Sequence, residues 1–241
     1  MQDHHQTAVQ SMRYLGDYLR PSSYRVTHRL KDVRDLRKLV EQYDLFILDR
    51  DCSLQEYHGS QRVPEFENVL RYIAPASELV SNSSFKEFLK IGELYGNLFP
   101  VSKLVRFAGE GSSPFLLRFA NGELSVIVYD LHEGLLADVT SRFKGPNNTL
   151  LDEISYNYRK PNPLIINAVV DFNAAERRIP AKKLKVLMVG DRFLTDIVAG
   201  NLAGVDTARV KPYRPFSDKP DLLALRYLVD SPLGFIMSRL T

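Results

Sequence analysis

Only one of the 241 residues is a cysteine, Cys52. The chain therefore cannot close a disulfide within itself or build a cysteine zinc site, and a reducing compartment is the expected setting. Long apolar runs are missing too. LSVIVY (124–129) and KVLMVG (185–190) are the longest, far short of the roughly 18 residues of a spanning helix. Charge of one sign is scarce: 32 Lys and Arg face 29 Asp and Glu, a net of +3, too little to point to nucleic acid. The first twenty residues lack the uninterrupted apolar core of a secretory signal and carry two aspartates against two arginines, unlike a transit peptide. A cytoplasmic or organelle-matrix protein is expected, with peripheral membrane contact left open. Repeats and low-complexity tracts are absent as well. What is present is ordinary for a globular chain: 44% hydrophobic and 25% charged residues. That excludes disorder, collagen and coiled coil, and the length suits a single domain over 1–241.

The small net charge is unevenly placed. Residues 13–38 hold eight basic side chains (Arg13, Arg20, Arg25, Arg29, Lys31, Arg34, Arg37 and Lys38) against Asp17, Asp32 and Asp35. Such a stretch either faces an anionic membrane or forms a solvated face laced with local ion pairs.

Hydrophobic periodicity alternates between two types. Leu30, Val33, Leu36, Leu39 and Val40 predict a helix over 30–43. The runs at 44–49, 77–82, 103–108, 185–190 and 206–211 predict short buried strands. Between them fall helical patterns around Val69, Leu70 and Ile73, after the Ser84/Glu87 capping box, and from about Thr195 to Gly204. This alternation predicts a doubly wound, mostly parallel Rossmann-like α/β sheet. Residues 109–158 break the rhythm: two apolar runs meet at Asn121-Gly122, a strong hairpin signal. We read 109–158 as a small β-hairpin-containing insertion or cap within the domain. A last apolar pattern, Leu222, Leu223, Leu225, Leu228, Phe235 and Ile236, predicts a C-terminal helix that either packs on the core or docks at an interface.

In open parallel sheets ligands bind at the C-terminal strand ends, and four such ends carry reactive residues. In FILDRDCSL (46–54), Asp49 and Asp51 stand two apart, so both carboxylates face one way in an extended segment. One could attack phosphorus while the other moves a proton; the plain alternative is a surface turn. Ser81, Asn82 and Ser83 lead into a helix N-terminus that suits a phosphate or merely caps the helix. Lys160 before Pro161 could neutralise a phosphoryl group or sit solvated. In VGDRFLTD (189–196), Gly190 permits a tight turn, and Asp191 and Asp196 suit Mg2+ or a simple helix cap.

Taken in order, LDRDCS (48–53), VSNS (80–83), RKP (159–161) and VGDRFLTD (189–196) resemble the haloacid dehalogenase-like phosphatases. LRPSSYRVTHRL (19–30) and TDIVAGNLAGVDTARVKP (195–212) make the chain look similar to the phosphatidylglycerophosphate phosphatase branch. The resemblance covers roughly 15–108 and 156–215. It implies Asp49 as nucleophile, Asp51 as general acid/base and Lys160 as the cation that stabilises the phosphoryl group. It implies Ser81, Asn82 and Ser53 as phosphate-binding residues. Mg2+ is implied as cofactor, on Asp49, Asp191, Asp196 and Asp51, the last through a main-chain carbonyl nearby. The implied partner is a phosphorylated substrate, a glycerophospholipid headgroup first and a soluble sugar phosphate second, with nucleic acid not expected. A non-catalytic scaffold is the remaining class. The chain departs from the compact members at 109–158, where some relatives insert a substrate-selecting cap.

Overall fold

Every residue of the run 45–48 is buried, and its alternate side chains face opposite ways. Phe46 and Leu48 join one apolar cluster, Leu45 and Ile47 the other. A strand covered on both sides is what a parallel sheet between helical layers requires. The computed structural model describes residues 15–18, 20–56, 59–109, 113–130, 133–140, 154–213 and 225–240. The strands are β1 (His28–Leu30), β2 (Leu45–Leu48), β3 (Ser77–Val80), β4 (Val101–Phe107), β5 (Phe115–Ala120), β6 (Glu123–Asp130), β7 (Gly134–Asp138), β8 (Ile154–Tyr158), β9 (Val186–Gly190) and β10 (Asp206–Val210).

One sheet runs β1-β10-β9-β2-β3-β4-β5-β6-β7, with β8 paired to β4. From β1 to β4 all neighbours are parallel; from β4 onward they are antiparallel. The helices Glu67–Ile73 and Phe85–Tyr95 pack on one face through Leu70, Ile73, Phe88 and Ile91. The helix Leu164–Glu176 packs on the other through Ile165, Ile166 and Val169. This is the Rossmann-like α/β architecture that the alternating pattern predicts.

The helix predicted over 30–43 does not form. Leu30 closes β1, and Val33–Lys38 is a 3-10 helix whose N-cap Asp32 accepts from the Arg34 backbone. Of the patterned residues Leu30, Val33, Leu36, Leu39 and Val40, the buried ones are Val33, Leu36 and Leu39. A spacing of three satisfies three residues per turn as well as an amphipathic α-helix, so periodicity alone could not separate the two. The hairpin does form: Asn121 and Gly122 both take positive φ, 52° and 81°, the type I′ geometry that matches strand twist. Of the described strands of 109–158, β5, β6 and β7 continue the main sheet past β4 and β8 pairs with β4 off that path; residues 110–112, 131–132 and 141–153 lie outside the described residues.

Strand β4 also supports the loop after β3. Val80 pairs with Ser102, so Lys103 stands one step past the end of β3. Its ammonium, only 2% exposed as a residue, donates to the Ser83 carbonyl at 2.5 Å. Burial, with Arg159 adding to it, pulls the Lys103 amine from 10.5 down to about 7. Below about pH 7 the amine is charged in both folded and unfolded chains, and the full burial cost opposes folding. As pH rises from about 7 toward 10.5 the unfolded chain holds the proton longer than the folded one, so stability increases. We expect the parent protein to gain on the order of 2 kcal/mol relative to Lys103→Met between pH 6.5 and 9.5, read by urea unfolding. Parallel pH curves for the two proteins would remove the buried charge from this account.

Candidate active site

Asp49 leaves β2 at the sheet's C-terminal edge, its N–H bonded to the Val189 carbonyl of neighbouring β9 at 2.8 Å. Asp191 leaves β9 one residue past its end. The turn Phe193–Ile197 is a wide π-helical turn, and it folds Asp196 back against the strand. A Cβ built on Gly190 would lie 2.3 Å from the Asp196 carboxyl carbon. Gly190 is therefore required for the close approach of Asp196, not for the turn that the sequence pattern suggests. The result is a knot of three carboxylates, Asp49, Asp191 and Asp196, whose ligand oxygens lie within 4.8 Å of one another.

Lys160 enters this knot from the loop after β8. Its ammonium lies 2.5 Å from Asp49 and 2.6 Å from Asp196, with Asp196 and Lys160 almost fully buried. Asn82 holds the lysine in place: its side-chain amide donates to the Lys160 carbonyl at 2.9 Å, and its oxygen accepts from the Lys160 N–H at 2.7 Å. Both ends of the amide thus serve the lysine backbone. The Lys160-Pro161 peptide bond is cis. Burial opposes the lysine charge, but Asp196 and Asp49 outweigh it and hold the ammonium above its usual range. Burial first, then the Asp196 charge, push the Asp49 carboxyl up to about 7 against the pull of Lys160.

Asp51 stands apart from the carboxylate knot. The guanidinium of Arg50 takes Asp51 at 2.7 Å and Glu87, on the helix Phe85–Tyr95, at 2.8 Å. Arg50 is 1% exposed, so it is a buried bridge between the loop and the helix. Glu87 thereby does more than complete the capping box, in which Ser84 accepts from the Glu87 N–H. The loop 49–55 is pinned at further points. Cys52 takes φ 57°, and its carbonyl accepts from the Tyr213 N–H at 2.6 Å. Buried Gln55 accepts from the Tyr95 hydroxyl at 2.7 Å and donates to the Gly59 carbonyl at 2.6 Å.

Among the described residues, the buried hydroxyls of Ser53, Ser81 and Ser83 have no hydrogen-bond partner. A buried unpaired hydroxyl costs about 1–3 kcal/mol, and an incoming anion at this edge would satisfy Ser53 and Ser81. The structure thus brings Asp49, Asp191, Asp196 and Lys160 into contact. It places Ser53 and Ser81 unpaired beside the same strand ends, and it turns Asp51 toward Arg50. Sequence reasoning missed Arg50, Lys103 and Asp230. Asp230 accepts from the N–H groups of Phe193 and Leu194 at 3.2 and 2.7 Å, holding the turn that follows Asp191. Arg50 had a visible signal, a basic residue between two aspartates. Asp230 had none, lying 36 residues from its nearer partner.

No curated protein and no solved structure matches the chain. Residues 157–212 match the family model of HAD-like hydrolases. The matched segment contains Lys160, Asp191 and Asp196; Asp49, Asp51 and Ser81 lie upstream of it. Over that segment, and in a sheet of the corresponding α/β type, the chain is similar to the HAD-like hydrolases.

Proposed function

We propose that the protein is a Mg2+-dependent phosphomonoester phosphatase that works through an aspartyl-phosphate, with phosphatidylglycerophosphate as its substrate and phosphatidylglycerol as product. The observation that carries the reaction is the meeting of Asp49, Asp191 and Asp196 around buried Lys160. Ionised, the three carboxylates and one ammonium sum to −2. A buried excess of that size calls for a divalent cation, and an all-oxygen donor set suits Mg2+. Asp49, Asp191 and Asp196 would hold it, and when bound it would supply positive charge to the transferring phosphoryl group.

The chain's own residues then divide the work. An Asp49 oxygen attacks phosphorus, and the bond from phosphorus to the leaving oxygen breaks. Asp51 gives its proton to the departing alkoxide, then takes one from the water that cleaves the aspartyl-phosphate, releasing phosphate and restoring Asp49. Lys160 fixes the Asp49 oxygen and offsets equatorial charge, while Ser53 and Ser81 donate hydroxyl hydrogens to phosphoryl oxygens. Arg50 positions Asp51.

The C-terminal segment supports a lipid substrate. Leu222 and Leu223 of the predicted helix lie outside the described residues. Leu228, Phe235, Ile236 and Leu240, in the last segment, are exposed, Leu228 at 76%. No helix among the described residues is long and apolar enough to cross a membrane, but an exposed apolar face of this kind can rest in an interface. Arg29 lies beside it, donating to Ser238 at 3.2 Å. The rest of the basic stretch is partly neutralised where it stands: Arg34 pairs with Asp32 and Lys38 with Asp35. Asp230, at the head of the helix Ser231–Met237, ties this face to the turn after Asp191. A soluble sugar phosphate is the second reading. The observation on its side is that β5–β7 extend the sheet beyond β4, additional structure that could serve substrate selection.

Phosphate release from lipid and soluble phosphomonoesters, with and without Mg2+, tests the reaction. Asp49→Asn is expected to abolish it while the melting curve is preserved, and a variant that keeps substantial turnover would strip Asp49 of the nucleophile role. Asp191→Asn is expected to shift the Mg2+ titration to higher concentration with partial rescue; superimposable titrations would exclude it as a ligand. Arg50→Met and Arg50→Lys are both expected to lower kcat by about tenfold or more with little change in KM, because only a guanidinium spans two carboxylates. A rise in KM at unchanged kcat would mean that Arg50 touches substrate instead.

A further inference from the structure

We infer that a recess between the ends of β1 and β10 binds a second anionic group of the substrate, so that the substrate class is an organic phosphate carrying two anions. This rests on the phosphatase reading and narrows it. β1 and β10 are parallel neighbours in the sheet that holds Asp49 and Asp191. Lys31 and Lys211 therefore leave their strands at the same C-terminal edge as the reacting residues. Between them lies a recess of about 240 Å³, walled by Arg34, Glu65, Phe66 and Tyr213.

The two lysines differ from their neighbours in being available. Arg34 is held by Asp32 at 2.9 and 2.6 Å, and its guanidinium lies 6.0 Å from the Phe66 ring centroid. Among the described residues the side chains of Lys31 and Lys211 make no hydrogen bond or ion pair. Three cations, Lys31, Arg34 and Lys211, line the recess with two carboxylates, Asp32 and Glu65. Asp32 lies in the field of both Arg34 and Lys31, and Glu65 in that of Arg34, which leaves an excess of one positive charge. An anion is the ligand this balance favours, and the mixed rim keeps the recess from being a general anion trap.

The recess is joined to the reaction site by backbone. Tyr213, which forms its wall, donates its N–H to the carbonyl of Cys52 in the loop between Asp51 and Ser53. β10 lies two strands from β2, and β1 three. At about 4.8 Å per strand the recess sits roughly 10–14 Å from Asp49 along the edge. A span of that size leaves room for a spacer between the transferred phosphoryl group and the second anion. A phosphodiester in a glycerophospholipid headgroup and the second phosphate of a soluble bisphosphate share this chemistry. A simple sugar monophosphate lacks it.

The test compares KM for three substrates: short-chain phosphatidylglycerophosphate in non-ionic detergent micelles, fructose 1,6-bisphosphate, and p-nitrophenyl phosphate. In the parent protein at least one doubly anionic substrate is expected to have the lower KM. In the Lys31→Gln/Lys211→Gln double variant that ratio should collapse by about fivefold per lysine, and Lys211→Glu should collapse it further. Added salt should erode the ratio in the parent and not in the double variant. Collapse with the lipid alone assigns the recess to a headgroup, and collapse with the bisphosphate alone assigns it to a soluble substrate. An unchanged ratio, or a KM for p-nitrophenyl phosphate that rises by the same factor, overturns the subsite while leaving the phosphatase intact. No phosphate release from any of the three by the parent protein overturns both.

Discussion

A single buried ammonium sets the terms for the rest of the site. Lys160 touches two of three clustered carboxylates, and without it Asp49 and Asp196 would face each other as unscreened like charges in a buried setting. Removing one partner of such a group leaves an uncompensated charge, which costs far more than the intact arrangement contributes. The surrounding backbone is built to keep the lysine there. Asn82 grips its peptide from both sides, and Gly190 clears the space into which Asp196 folds. The β2 and β9 strands that deliver Asp49 and Asp191 are themselves buried on both faces.

Around that centre the supporting contacts run outward in layers. Arg50 ties the loop after β2 to the helix after β3, and Lys103 ties the loop after β3 to β4. Tyr213 ties the loop after β2 to the chain leaving β10. The first two contacts join neighbouring strands and the third spans β9, so the C-terminal edge of the sheet is cross-linked from β10 to β4. Most of the charged groups buried here have polar partners, Lys103 with only a backbone carbonyl being the costly case. Glu78, on β3, shows the same rule away from the site: it accepts from Ser102 and from Asn173 at 2.8 Å, although burial raises its carboxyl above the usual range.

What could be read from the sequence follows a physical division. Strand ends bearing Asp49, Ser81, Asp191 and Asp196 were legible because each motif is local and abuts a buried run. Lys160 was legible as a residue type, but its contact with Asp49, 111 residues away, belongs to the fold. The hold of Asn82 on the Lys160 backbone was out of reach for the same reason, since the two residues are 78 apart in sequence. The segment 30–43 failed because residues three apart serve a 3-10 helix and an α-helix alike. Gly190 was legible as permitting a tight turn, while the carboxylate lying against it was not.

The link through Asp230 has a mechanical consequence. Its carboxylate caps the turn that follows Asp191 and carries Asp196, while the helix it begins shows Phe235 and Ile236 to the outside. A change at the start of this outer helix that moved the Asp230 carboxylate would free two N–H groups of the turn and would be felt at the carboxylate cluster, so the last segment of the chain and the sheet edge are not structurally independent.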